Sequence, residues 1–352
     1  MATKSSARRV VRSTDALIDA GLARADSRAA LDAVAQRFAV AVTTDMVDLI
    51  DPADPADPIA RQFVPDPAEL VERPGELSDP IGDDVQSPVK GIVHRYPDRV
   101  LLKPLHTCPV YCRFCFRREM VGPGATALNA AELNAALAYI GAHKEIWEVI
   151  VTGGDPFMLS ARRLGAIVAA LGRIPHVAVI RFHTRVPVAE PARVTPDLVT
   201  SLKSDKAVYV AIHCNHAREL TPAARQACRR LGRAGIPLLG QSVLLRGVND
   251  DPTTLEALMR ALVAARIKPY YLHHGDLARG TGHFRTTIAE GEKLMRALRG
   301  RVSGLCQPAY VLDLPGGHGK VPVGPGYLDR GDDGGYTVED YRGRRHAYPE
   351  KP

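Results

Sequence analysis

From about residue 96 onward one pattern recurs along the chain. A short, nearly continuous apolar run is followed by a longer stretch with apolar residues three and four apart. The short runs read as strands at Arg99–Lys103, Glu148–Thr152, Val177–Phe182, Ala207–His213, Leu238–Leu245, Pro269–His273 and Ala309–Leu312. The longer stretches, such as Ala130–His143, Ala161–Ile174 and Thr221–Ala234, read as helices. Strand and helix alternating at this pitch predict an α/β fold with a parallel sheet and helices outside it. Six or seven such units can curve into a partial or full barrel, whose chemistry sits at the C-terminal ends of the strands. No internal sequence repeat is visible.

The first 75 or so residues differ. Ala16–Leu22 and Ala30–Phe38 carry helical spacings, and Asp51-Pro-Ala-Asp-Pro-Ala-Asp-Pro and Ser78-Asp-Pro-Ile-Gly-Asp-Asp then break the chain. This segment is expected to pack on the main domain as a helical arm or lid. After Gly316 the chain is rich in Gly, Pro, Arg and Asp and is expected to form a partly ordered tail. The predicted organisation is a helical extension over 1–95, a barrel over 96–315, and a turn with a tail over 316–352.

Composition narrows the setting. The 352 residues are 45% hydrophobic, with six cysteines and a net charge of +7, and the mean hydropathy of −0.10 fits a soluble protein. No apolar run reaches the roughly 18 residues that cross a bilayer. The start, Met1-Ala-Thr-Lys-Ser-Ser-Ala-Arg-Arg, is basic but lacks a signal core. A cytoplasmic protein with reduced thiols is expected, with no membrane partner. The positive charge is spread along the chain and no nucleic-acid-binding module is visible, so no nucleic-acid partner is expected beyond weak attraction to polyanions.

Candidate chemistry centres on Cys108-Pro-Val-Tyr-Cys112-Arg-Phe-Cys115, which holds three of the six cysteines in eight residues. Three thiolates from one loop can hold three irons of a [4Fe–4S] cube and leave the fourth iron open, whereas structural zinc and ferredoxin sites usually use four protein ligands. A zinc loop borrowing His106 is the plainer alternative. A loop of this spacing after the first strand of an α/β chain resembles the radical S-adenosylmethionine (SAM) superfamily, in which the open iron binds SAM. In Val149-Ile-Val-Thr-Gly153-Gly154-Asp155-Pro156 a strand ends in glycines that permit close approach to the backbone, and in that superfamily this position resembles the edge that meets the SAM amino group. His213 and Gln241 are polar residues in apolar strands, so they face either a ligand or a satisfied core contact. Lys320, on a Gly-rich turn beyond a strand, can form a Schiff base with an aldehyde cofactor, or can be a plain surface lysine.

Several motifs in one order carry a closer resemblance. Besides the cysteine loop and Gly-Gly-Asp, these are Arg95-Tyr-Pro-Asp-Arg99, Gly240-Gln-Ser-Val-Leu-Leu-Arg-Gly-Val-Asn, Asp276-Leu-Ala-Arg-Gly-Thr-Gly-His-Phe-Arg and Asp313-Leu-Pro-Gly-Gly-His-Gly-Lys320. From about residue 85 to 326 the chain resembles the lysine 2,3-aminomutase family. The resemblance implies a radical-SAM partial (β/α)6-type TIM barrel. It implies a [4Fe–4S] cluster on Cys108, Cys112 and Cys115, SAM beside Gly153, Gly154, Asp155, His213 and Gln241, and pyridoxal 5′-phosphate (PLP) on Lys320 with Arg95 and Arg99 near its phosphate. It further implies that Arg117 clamps the amino-acid carboxylate while Asp276 and Asp313 receive the distant ammonium of lysine. The implied activity is an isomerase that moves the 2-amino group of L-lysine to C3, giving β-lysine, with a flavodoxin- or ferredoxin-type electron donor and a homo-oligomeric assembly. An aminomutase making (R)-β-lysine for elongation factor P, or one acting on another basic amino acid, is the alternative within the family; a cluster-bearing protein without catalysis is the alternative outside it. Two departures stand out. No cysteine follows Cys306, so the C-terminal zinc cluster of clostridial-type members is not expected, and His318 stands where the family usually has Gly.

Overall fold

A computed structural model describes residues 10–122, 126–331 and 334–349, so the basic Met1–Arg9 start lies outside the described residues. Nine strands form one sheet in the order of the chain: β1 (Ile92–Tyr96), β2 (Arg99–Leu105), β3 (Glu148–Gly153), β4 (Val179–Thr184), β5 (Ala207–His213), β6 (Leu238–Val243), β7 (Ile267–His273), β8 (Ala309–Leu314) and β9 (Gly319–Pro322). Strands β2 to β8 run parallel, while β1 and β9 are antiparallel flanks. Among the described residues, six helices of six or more residues cross between the parallel strands: Ala130–Ala142, Ala161–Gly172, Pro196–Ser201, Pro222–Arg233, Pro252–Ala264 and Ile288–Leu298. This is the expected α/β partial barrel, with a seam between β1 and β9. Across that seam the Tyr96 hydroxyl accepts a hydrogen bond from the Lys320 backbone nitrogen (2.6 Å).

The strands are apolar because helices cover their outer face. Ile140, Val149, Val151, Ile167, Ile180, Phe182, Val210, Ile212, Leu258 and Leu272 are buried in one continuous core. Helix starts are fixed by side-chain caps: Asn129, Ser160, Thr195, Thr221, Asp251 and Thr287 each accept a hydrogen bond from a first-turn backbone N–H.

One expectation needs correction. The sheet begins at Ile92, before the first predicted strand. Lys320 follows the Gly-rich turn beyond β8, and a further short strand starts there. It lies on β9, which pairs back on β8 so that Lys320 faces Asp313 across the ladder. Within the expected partly ordered tail, Leu328–Arg330, Tyr336–Glu339 and Arg345–Tyr348 pair as a separate three-stranded antiparallel sheet.

The N-terminal segment is only partly helical, with Thr14–Asp19 and Arg28–Arg37 its longest helices. Through the Asp-Pro repeat, Asp51, Asp54 and Asp57 each accept from the backbone N–H two residues on (3.0, 2.9 and 2.8 Å), a string of Asx turns. The segment holds the cysteine loop: the backbone of Tyr111 bonds Ala41 (2.8 Å) and that of Arg113 bonds Gln62 (2.9 Å). Buried Glu69 accepts from Arg113 (2.9 Å at Nε) and from Arg118, which ties the second half of the cysteine loop to the arm. Among the described residues no helix is long and apolar enough to cross a membrane.

Candidate active site

One cavity of about 890 Å³ runs inside the barrel. Cys112, Cys115, Arg117, His213, Gln241, Asp276, Asp313 and Lys320 all line it, with Arg95 and Arg99 near the β1–β2 turn. Strand periodicity explains the gathering, because alternate residues of each strand face inward and the loops after the strands close over one end.

The cysteine loop follows β2. Burial raises all three thiol pKa values above the ordinary thiol range, Cys115 to about 11. The charges of Cys112 and Cys115 act on Cys108, so the three thiols share one neighbourhood. Among the described residues no set of three or more His, Cys, Asp or Glu closes around a single metal ion; a cube with its irons at separate corners asks for no such convergence. Arg185, at the end of β4 and 6% exposed, donates to the Cys112 sulfur (3.2 Å) and to Glu219 (2.6 Å) and Gln62 (2.7 Å). A buried cation beside a thiolate favours the charged form that binds iron. The donor set therefore fits an iron–sulfur cluster.

Gly153, Gly154 and Asp155 seat that loop. A Cβ on Gly154 would lie 2.4 Å from the Thr107 oxygen, and the Gly154 and Asp155 nitrogens bond Leu105 (2.7 Å) and Thr107 (2.9 Å). The Asp155 carboxylate is spent on Thr184 (2.7 Å) and the backbone nitrogens of Phe157, Arg185 and Val186. These bonds anchor the loop at the strand end where the sequence places the SAM amino group. His213 and Gln241 face each other in register on β5 and β6. His213 stacks on Phe114 at 5.5 Å, and its buried Nε2 has no hydrogen-bond partner among the described residues. Burial lowers its pKa well below the usual histidine range, so it is a neutral imidazole. An orphaned nitrogen beside the cysteine loop fits a polar ligand there.

The opposite end holds the lysine. Lys320 is paired with Asp313, and His273 Nδ1 lies 3.5 Å from the same carboxylate. Burial would raise the Asp313 pKa, but His273 and Lys320 outweigh it and hold the group well below the carboxylate range. Asp276 behaves oppositely: burial, and after it the Asp313 charge, pushes its carboxyl up to about 7. Arg95 donates to the Ile81 oxygen (2.6 Å) and Asp83 (3.3 Å), while its buried Nε has no partner. That vacant donor, near the seam that carries Lys320, fits an anionic group such as a phosphate. Arg99 is less committed; it pairs with Asp98 (2.7 Å) and stacks over Tyr96 (3.8 Å). Arg117 donates through Nε to Asp83 (2.8 Å) and lies over Phe116 (4.4 Å).

Sequence reasoning missed Asp83, Lys103, Arg185 and His273. Lys103 carried one usable signal, a cation inside an apolar run. Asp83 and Arg185 sit in no local pattern that marks them.

Two family matches cover much of the chain: the radical SAM superfamily over residues 102–258 and a "Lysine-2,3-aminomutase" domain over 295–351. The chain is 41% identical over 292 residues to the L-lysine 2,3-aminomutase of Acetoanaerobium sticklandii, covering 83% of this chain and 70% of that one. It is 42% identical over 270 residues to the L-lysine 2,3-aminomutase of Clostridium subterminale, covering 77% and 65%. It is also 38% identical over 265 residues to the glutamate 2,3-aminomutase of Clostridioides difficile, covering 75% and 63%. The aligned segments thus span about two thirds of those relatives' lengths.

Proposed function

The chain belongs to the lysine 2,3-aminomutase family of radical SAM proteins, and from that footing we propose that it moves the 2-amino group of L-lysine to C3, giving β-lysine. Relatives named for lysine and for glutamate match at similar identity, so membership alone leaves the substrate open. The observation that carries the choice of lysine is the grip of Asp313 on the Lys320 ammonium, with the buried Asp276 carboxyl close by. Two carboxylates in one buried corner repel unless a cation lies with them. They welcome a substrate ammonium and oppose the side-chain carboxylate of glutamate.

When bound, the cluster and SAM supply a carbon-centred radical and PLP carries the migrating amine. Cys108, Cys112 and Cys115 hold three irons, with Arg185 steadying the Cys112 sulfur. His213 and Gln241 flank the SAM side. Lys320 carries PLP, with Arg95, and Arg99 behind it, turned to the phosphate. Arg117 takes the substrate carboxylate on its two terminal nitrogens, a planar fork suited to both oxygens. Asp276 and Asp313 take the far ammonium, so the substrate is stretched between a cation and two anions. Phe114, which packs on Phe284 at 6.1 Å and on His213, helps close the cavity against water.

The assignment gives lysine binding a pH dependence. Asp276 is neutral below about pH 7 and ionised above it. A bound ammonium favours the ionised form, so at low pH lysine binding must release the Asp276 proton. KM for lysine should then rise about tenfold per pH unit as pH falls below 7, and level off above it. A flat KM between pH 5.5 and 8 would remove Asp276 from the site. The substrate itself is tested by supplying lysine and glutamate separately to reconstituted protein. Preference for glutamate would overturn the reading.

A further inference from the structure

Arg117 and Arg95 are assigned to different ligands, yet both are held by one carboxylate. Asp83 lies in the loop before β1, and its side chain is 1% exposed. Its Oδ2 accepts from Arg117 Nε (2.8 Å) and lies 3.4 Å from Lys103 Nζ, while its Oδ1 accepts from Arg95 Nη2 (3.3 Å). The loop is itself stiffened. Asp79 accepts from the backbone nitrogens of Asp83 (2.9 Å) and Asp84 (2.8 Å), and the Ser87 hydroxyl donates to the Asp83 oxygen (2.7 Å). It also packs hard against the hairpin that carries Lys320: a Cβ on Gly82 would sit 2.5 Å from the Gly317 nitrogen.

Burial alone would raise the Asp83 pKa; Arg117, then Lys103 and Arg95, reverse this and hold it near 2, so it is an anion throughout the working range. Three cations around this one buried anion leave positive charge in surplus, with Asp276 the other acid acting on Arg117, in a corner where none of the four side chains is more than 11% exposed. A buried surplus of this kind calls for anions. Because Asp83 occupies only the Nε edge of Arg117, the terminal nitrogens, which make no hydrogen bond to the described residues, remain for a ligand on the cavity side.

We propose that Asp83 is a positioning residue that aims the Arg117 fork at the substrate carboxylate and the Arg95 guanidinium at the cofactor phosphate, so that one carboxylate anchors both binding sites. This rests on the assignment of Arg117 to the substrate carboxylate. A guanidinium on a flexible stem loses rotamer freedom when it binds, and an anchor that already holds one edge removes much of that cost. Lys103 offsets the anion without reaching the cavity lining.

The test uses Asp83→Asn, Asp83→Glu and the double variant Asp83→Asn/Lys103→Met, which removes one charge of each sign and keeps the surplus, beside Arg117→Ala. Three quantities are read: KM and kcat for lysine in the loaded enzyme, inhibition by 1,5-diaminopentane, which has both amines but no carboxylate, and PLP affinity of the metal-free protein from its absorbance. In Asp83→Asn, KM should rise about tenfold or more with kcat within about threefold, inhibition by the diamine should stay unchanged, and PLP affinity should fall about tenfold. Asp83→Glu should recover most of both losses. If Asp83→Asn does not fold, the double variant should give the same KM and PLP changes. Unchanged KM and PLP affinity, or a fall in kcat with lysine and diamine weakened alike, would overturn the proposal. If Arg117→Ala itself leaves KM unchanged, the Arg117 assignment has failed; if Arg117→Ala raises KM and Asp83→Asn does not, only the Asp83 proposal has.

Discussion

Lys320→Ala is expected to lose the absorbance band of protein-bound PLP, with its borohydride-trapped adduct, and to lower turnover by at least about a thousandfold. The lysine stands on β9 directly across from Asp313, and Tyr96 holds its backbone nitrogen from the other side of the seam. No other lysine lines the cavity among the described residues, so none can take over the cofactor. The cysteine loop follows β2 and its partners are the N-terminal arm and Arg185, so iron and sulfide uptake should remain at the wild-type level. A variant that retained a trapped adduct would move the cofactor to another residue.

Asp313→Ala is expected to raise KM for lysine by a hundredfold or more. Removing one partner of a buried ion pair typically costs about 3–5 kcal/mol, and Asp313, with its side chain 10% exposed, is such a partner. Its loss also frees Asp276 from the second cause of its raised pKa. The pH at which lysine binding weakens should therefore move downward from about 7. Cluster and PLP loading should survive. Unchanged KM and turnover would show that the far ammonium lies elsewhere.

What the chain disclosed in advance followed from periodicity. The parallel strands are apolar because helices cover them, and runs such as Val149–Val151 and Val208–Ile212 can be read directly. The cysteine loop was equally plain, since three thiols in eight residues have few other uses. β9 was hidden because a strand of four residues bounded by glycines looks like a turn, and its pairing depends on a partner seen only in three dimensions. The Asp83 anchor was hidden for the same reason, its three cations lying 12, 20 and 34 residues away. Gly153 to Asp155 stand out in the sequence for a ligand role, and the close crossing of the cysteine loop over them is visible only in three dimensions. The Asp-Pro repeat read correctly as punctuation, though not as the Asx turns that carry the arm over that loop.

The central claim is that one cavity brings a radical source and a lysine-held cofactor to bear on a basic amino acid. The most direct measurement supplies lysine bearing heavy nitrogen at its 2-amino group to protein reconstituted anaerobically with iron, sulfide, PLP, SAM and dithionite, and follows the label by NMR. Label bonded to C3 in β-lysine is the predicted result. Label left at C2, or released as ammonia, would contradict it.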